Sequence, residues 1–129
     1  MSLDEIAVRV DQDPLNLAGT DSRRLPLLRT SVSWMEGTPI MLLAGEVDLS
    51  TASLLQERLE EVIPALLGEL VVDLGLVTFF GSTGMSILVT THRRLRAEGC
   101  RLIIFAPTPQ IRRLFELWDL NSVLVIVPD

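Results

Sequence analysis

Apolar and polar positions along the chain fall into short blocks whose period switches between two and about three and a half. From Arg29 the runs RTSVSWM and PIMLLAGEV are β-leaning and are separated by Glu36-Gly37, a tight-turn signal, so they predict a hairpin. Ala52, Leu55, Leu59, Val62 and Leu66 then recur at three- and four-residue spacing, which predicts a first helix with one apolar face. Asp48 or Ser50 stands where a side chain would cap that helix, and Pro64 should kink or end it near its last turn.

The second half repeats the alternation. LVVDL at 70–74 is a short apolar run suited to a buried strand, and a second helix is expected after FFGSTG, with Met85, Leu88, His92 and Leu95 as its stripe and Glu98-Gly99 as its end. RLIIFA reads as the next strand. Thr108-Pro109 pairs an N-cap with proline at the first helical position, so a third helix follows, with Ile111, Leu114, Phe115 and Trp118 as its buried face. VLVIV ends the chain as a last strand. Such alternation calls for parallel pairing through right-handed crossovers, to which the hairpin adds an antiparallel strand. The fold class expected is α/β, a single-domain mixed β-sheet layered with helices in the order β-β-α-β-α-β-α-β.

Residues 1–28 break this rhythm. DQDPLNLAGTDSRRLP is rich in turn and charged residues without sustained periodicity, so 1–28 are expected to form a flexible N-terminal arm and 29–129 the domain. A chain of 129 residues leaves little room for a second core.

Composition narrows the function classes. The apolar runs are broken by Glu46, Asp73 or glycines and none approaches the ~18–20 residues of a spanning helix, so no membrane partner is expected. The opening MSLDEIAVRV carries acids and no basic leader region, which makes the cytoplasm the expected location. Cys100 is the only cysteine and His92 the only histidine, so no internal disulfide forms and no metal or cofactor is expected. Cys100 is expected to sit as a small buried hydrophobe. A formal net charge of −6 disfavours nucleic acid. All eleven basic residues are arginine, which excludes a P-loop or Schiff-base lysine. Arg93, Arg94, Arg96 and Arg101, with Arg112 and Arg113, are candidates for a patch that meets an acidic partner, but the stronger reading is ordinary surface cations, several of them complementing a helix C-terminus, with Glu57, Glu60 and Glu61 as a solvated helix face.

The segment Phe79-Phe80-Gly81-Ser82-Thr83-Gly84-Met85 is the most informative, because a strand end turns there into a helix and exposes a hydroxyl. A serine at such a turn caps free N–H groups, and the positive helix end favours an anion nearby. The simplest reading of Ser82 is that cap alone. A catalytic nucleophile is disfavoured: the segment is not a G-x-S-x-G elbow, and His92 lies ten residues along the same helix, about 15 Å away. GSTG also lacks the spacing and lysine of a P-loop. The G-x-x-G spacing of RNA-binding KH domains conflicts with the acidic balance and the order of elements.

Three stretches together, Gly45-Glu46-Val47-Asp48, VVDLGLVTFFGSTGMSIL and RRLFELWDL, resemble the STAS domain of bacterial anti-sigma factor antagonists over about residues 29–128. The resemblance implies a protein that is not an enzyme but binds an anti-sigma factor with serine kinase activity, releases the sigma factor, is switched off by phosphorylation and is restored by a phosphatase. The family's acceptor pattern of Asp, Ser, Ser or Thr, Gly maps onto Gly81, Ser82, Thr83 and Gly84, so Ser82 is the implied acceptor, ahead of Thr83. The implied partner-binding residues are Asp48, Gly81, Ser82, Thr83, Gly84 and Met85. Gly81 departs from the pattern, since aspartate is usual there and glycine supplies no carboxylate to hold the loop. The alternative is a STAS-like adaptor that is never phosphorylated. A hydrolase or transferase, or nucleotide binding at the helix start, has no further support in the sequence.

Overall fold

The computed structural model describes residues 27–129. The expected arm falls almost wholly outside the described residues. Of its last two residues, Leu28 opens the first strand and is buried, and Leu27 just before it accepts a hydrogen bond on its carbonyl from the Glu46 N–H at 2.7 Å.

Strands β1 (Leu28–Met35) and β2 (Thr38–Val47) form the expected hairpin. Its two loop residues, Glu36 and Gly37, both have positive φ, 53° and 86°, as a two-residue turn matched to strand twist requires. Helix α1 (Ala52–Val62) buries Ala52, Leu55, Leu59 and Val62 as the spacing predicts. It stops short of Leu66, because Pro64 has no N–H to continue the ladder, and Ile63–Ala65 tighten into a 3₁₀ turn. Leu66 is extended and only half-buried, packing against the core from outside the helix.

Strand β3 spans Glu69–Phe80, well beyond the LVVDL run, because the ten-residue β2 offers it a partner as far as Phe80. Helix α2 (Ser82–Ala97) buries Met85, Leu88, His92 and Leu95 and closes at Glu98-Gly99, Gly99 taking φ 79°. Strand β4 (Arg101–Phe105) precedes α3 (Pro109–Leu117), whose cap is as expected: the Thr108 hydroxyl oxygen accepts the Ile111 N–H at 3.3 Å. A 3₁₀ turn at Leu120–Ser122 leads to the short β5 (Val125–Val127). Cys100 is half-buried at the core margin and not fully enclosed.

The sheet order is β1-β2-β3-β4-β5, antiparallel only between β1 and β2. Parallel strands laid down in sequence order by crossovers of one hand place all their helices on one face. That face carries Val32, Met41, Leu43, Leu70, Val72, Leu74, Leu102 and Ile104, all buried, and Phe80 of β3 meets Phe115 of α3 edge-on with centroids 6.1 Å apart. The result is two layers around one core, with the strand ends free to carry a site.

Candidate functional site

Because β2 and β3 run parallel, the turns that follow them emerge side by side at one end of the sheet. Val47 pairs with Phe80, and the Gly81 N–H donates to the Val47 carbonyl at 2.8 Å.

The first turn is closed on itself. One Asp48 carboxylate oxygen accepts the Ser50 N–H (2.9 Å), the Ser50 hydroxyl (2.7 Å) and the Thr51 N–H (3.1 Å). The Ser50 hydroxyl is the main reason the Asp48 carboxyl titrates below its usual range, partial desolvation opposing and the two N–H groups adding to it. The Thr51 hydroxyl donates to the Glu46 carbonyl at 2.8 Å and accepts the Asp48 N–H at 3.0 Å. The cap position of α1 is therefore Thr51, one residue past the expected Ser50, and its hydroxyl faces back into the turn rather than forward to the helix. The Asp48 side chain braces the loop instead of capping.

The second turn is open. Gly81 occupies the N-cap position with φ −91° and ψ −177°, and Ser82 is the first helical residue. Ser82 is thus one position too late to cap the helix, and its exposed hydroxyl makes no hydrogen bond among the described residues. No acidic residue lies in the first turn of this 16-residue helix, so the unpaired N–H groups there leave a positive end beside the hydroxyl. Gly81 is not demanded by its backbone angles. A Cβ there would lie 3.2 Å from the Phe79 ring, which has taken over that space. Gly84 is demanded: a Cβ would meet Val47 Cγ1 at 2.6 Å and the Phe80 ring at 2.8 Å, so glycine lets α2 pack directly on the ends of β2 and β3.

The structure brings the expected partner-binding residues to one end of the molecule in two classes. Asp48, Gly81, Ser82 and Thr83 reach the surface to differing degrees, whereas Gly84 and Met85 are buried and shape the site from beneath. Around them the surface is apolar: Leu49 is 82% exposed, Leu76 59% and Phe79 51%.

A groove of about 350 Å³ continues from Ser82 along α2, lined by Met85, Ser86, Val89, Thr90 and Arg93 and closed by Trp118 and Leu120. Trp118 corrects the sequence expectation. Its spacing puts it with Phe115 in the core, but α3 ends at Leu117, Trp118 is the C-cap, and Asp119 turns the chain away in a left-handed conformation (φ 57°). The indole is left 45% exposed. The available signal was the Asp119 that follows it, a residue type that tolerates such a turn. Val89 and Trp118 join the groove without any sequence signal for a site there, and Arg93, a candidate for an acidic-partner patch in the sequence, lines it as well.

His92, on the buried side of α2, has a pKa pushed below the usual imidazole value by burial first and by Arg96 and Arg93 next. Its Nδ1 has no hydrogen-bond partner among the described residues. Among those residues no three His, Cys, Asp or Glu side chains gather as a metal site, and no helix is long and apolar enough to cross a membrane.

Comparison with known proteins gives this geometry a context. A sequence model of the family described as "Mlab, STAS domain" matches residues 30–128. The anti-sigma-F factor antagonist RsfB of Mycobacterium tuberculosis is 35% identical over 95 residues, 74% of this chain and 77% of that protein. An anti-sigma-B factor antagonist of Listeria monocytogenes is 32% identical over 88 residues, 67% of this chain and 75% of that protein. The crystal structure of an anti-sigma factor antagonist from Mycobacterium paratuberculosis superposes with a TM-score of 0.73 at 30% identity, covering 79% of this chain and 86% of that one.

Proposed function

The chain belongs to the STAS domain family, and on that premise we propose that it is an anti-sigma factor antagonist: it binds an anti-sigma factor through the surface around Ser82, frees the sigma factor, and is switched off when the partner's serine kinase activity phosphorylates Ser82. The observation that carries the switch is the unused, exposed Ser82 hydroxyl at the first position of a long helix whose first turn holds no acid. A phosphate there adds about −1.5 to −2 charges, which a helix N-terminus accommodates without unfolding the domain. A partner covering the apolar surround of Leu49, Leu76 and Phe79 would instead have to desolvate that charge, and each 1.4 kcal/mol is about tenfold in affinity. The role is one of binding and not of catalysis. A phosphatase would reset it.

Gly81 favours a second reading, an adaptor that is never phosphorylated, because the turn offers no carboxylate of its own beside the acceptor. One experiment separates the two. Each anti-sigma factor of the source genome is titrated calorimetrically with wild type, Ser82→Asp and Ser82→Ala, and each is incubated with wild type and ATP before mass spectrometry. The switch requires tight binding by wild type and Ser82→Ala, at least tenfold weaker binding by Ser82→Asp, and phosphate on Ser82. Equal binding by all three with Ser82 unmodified establishes the adaptor instead.

A further inference from the structure

We infer that the groove between α2 and the α3 corner receives one amphipathic helix of the anti-sigma factor, with a carboxylate on that helix paired to Arg93; this rests on the antagonist reading above. Positions 82, 85, 86, 89, 90 and 93 form one stripe along α2, and the eleven steps from 82 to 93 at 1.5 Å each make it about 16 Å long, the length of three helical turns. Its middle is apolar, with buried Met85 as the floor and Val89, Leu120 and Trp118 as the walls, while Ser86 and Thr90 add small hydroxyls. These walls are side chains from a helix and a helix corner, with no free strand edge between them, so the match is a helix laying its apolar face along the groove and not an added strand.

The charges set the direction. Arg94 is held by Glu60 at 2.6 Å and Glu98 at 3.8 Å, Arg58 by Glu61 at 2.9 Å and Arg101 by Glu69 at 3.1 Å. Arg93, the one charged residue lining the groove, forms no ion pair among the described residues. On a chain of net charge −6, an exposed guanidinium at the end of an apolar groove fits a partner helix that brings its own carboxylate. At the other end lies Ser82 beside the positive helix end, where a partner surface without basic groups has nothing to pair with a phosphate. Trp118, half-exposed against the groove wall, is the anchor that an interface of this kind concentrates its affinity on.

The test uses the full chain and whichever anti-sigma factor binds it in the titration above. Arg93→Glu is expected to weaken binding about 100-fold and Trp118→Ala about 30-fold, while Arg93→Lys stays within about threefold. Arg101→Glu, a matched charge reversal at the far end of the sheet, should change affinity less than threefold, and melting temperatures of the two groove variants should match wild type. Replacing the paired partner carboxylate by arginine should restore binding to Arg93→Glu, and hydrogen exchange should protect a helix in the partner. Wild-type affinity in Arg93→Glu and Trp118→Ala, with Ser82→Asp still weakened, overturns the groove and leaves the antagonist reading standing. Loss of binding in the groove variants with Ser82→Asp unaffected does the reverse for the switch. Protection of a strand or loop in the partner overturns the helix, and an absence of binding by every anti-sigma factor overturns both readings.

Discussion

Two strand-to-helix turns stand next to each other at the same end of this sheet, and they treat their polar side chains in opposite ways. After β2, Asp48, Ser50 and Thr51 spend their oxygens on one another and on the Glu46 carbonyl. After β3, at the mouth of a helix, Ser82 has no hydrogen-bond partner among the described residues. Both turns carry two hydroxyl residues, and the first adds a carboxylate, so polarity alone does not mark a site. What distinguishes them is whether the fold has already used the groups, and a hydroxyl the fold has not used is available to a partner or a kinase.

The sharpest way to break the comparison is to remove what holds the turns together. Gly84→Val should cost about 3 kcal/mol, the upper range for overpacking, because its side chain would collide with Val47 and Phe80; chemical denaturation with an unchanged m-value would read it. Thr51→Val should cost about 1–2 kcal/mol, since it strips a donor from the Glu46 carbonyl and an acceptor from the Asp48 N–H in a nearly buried place. Ser82→Ala should fall within about 0.5 kcal/mol of wild type in the same assay, as no cap or hydrogen bond is lost. If Ser82→Ala proved as costly as Thr51→Val, Ser82 would be structural after all and the contrast between the turns would collapse.

Much of this was legible in the sequence, and the failures have a common cause. The hairpin at Glu36-Gly37, the Thr108-Pro109 cap, the stripes of α1 and α2 and the strand-to-helix junction at Ser82 follow from local rules. The caps lie elsewhere than expected, at Thr51 in place of Asp48 or Ser50 for α1 and at Gly81 in place of Ser82 for α2. Cap chemistry tolerates several neighbours, and only the backbone angles decide which one leads. Trp118 was misplaced because periodicity extends a helix past the residue at which a left-handed Asp119 ends it. The length of β3 escaped notice because its second half is supported by β2 alone, a long-range partnership that no local window contains.

That one-sided support also sets how firmly the end of β3 is tied down. The pairing of β3 with β4 stops at Asp73 opposite Phe105, where the Asp73 carboxylate takes the Gly75 N–H at 2.8 Å, while the pairing with β2 runs on to Phe80. From Gly75 onward β3 is paired on one side only, with β2, which itself keeps β1 as far as Gly45 opposite Val77. Opening that stretch of β3 breaks a single ladder, held on the core side by Val77 and Phe80, whereas opening the middle of β3 breaks two. Releasing the end of β3 therefore breaks fewer backbone hydrogen bonds than releasing its middle, and what ties that end to the core is the Phe80 ring set edge-on against Phe115.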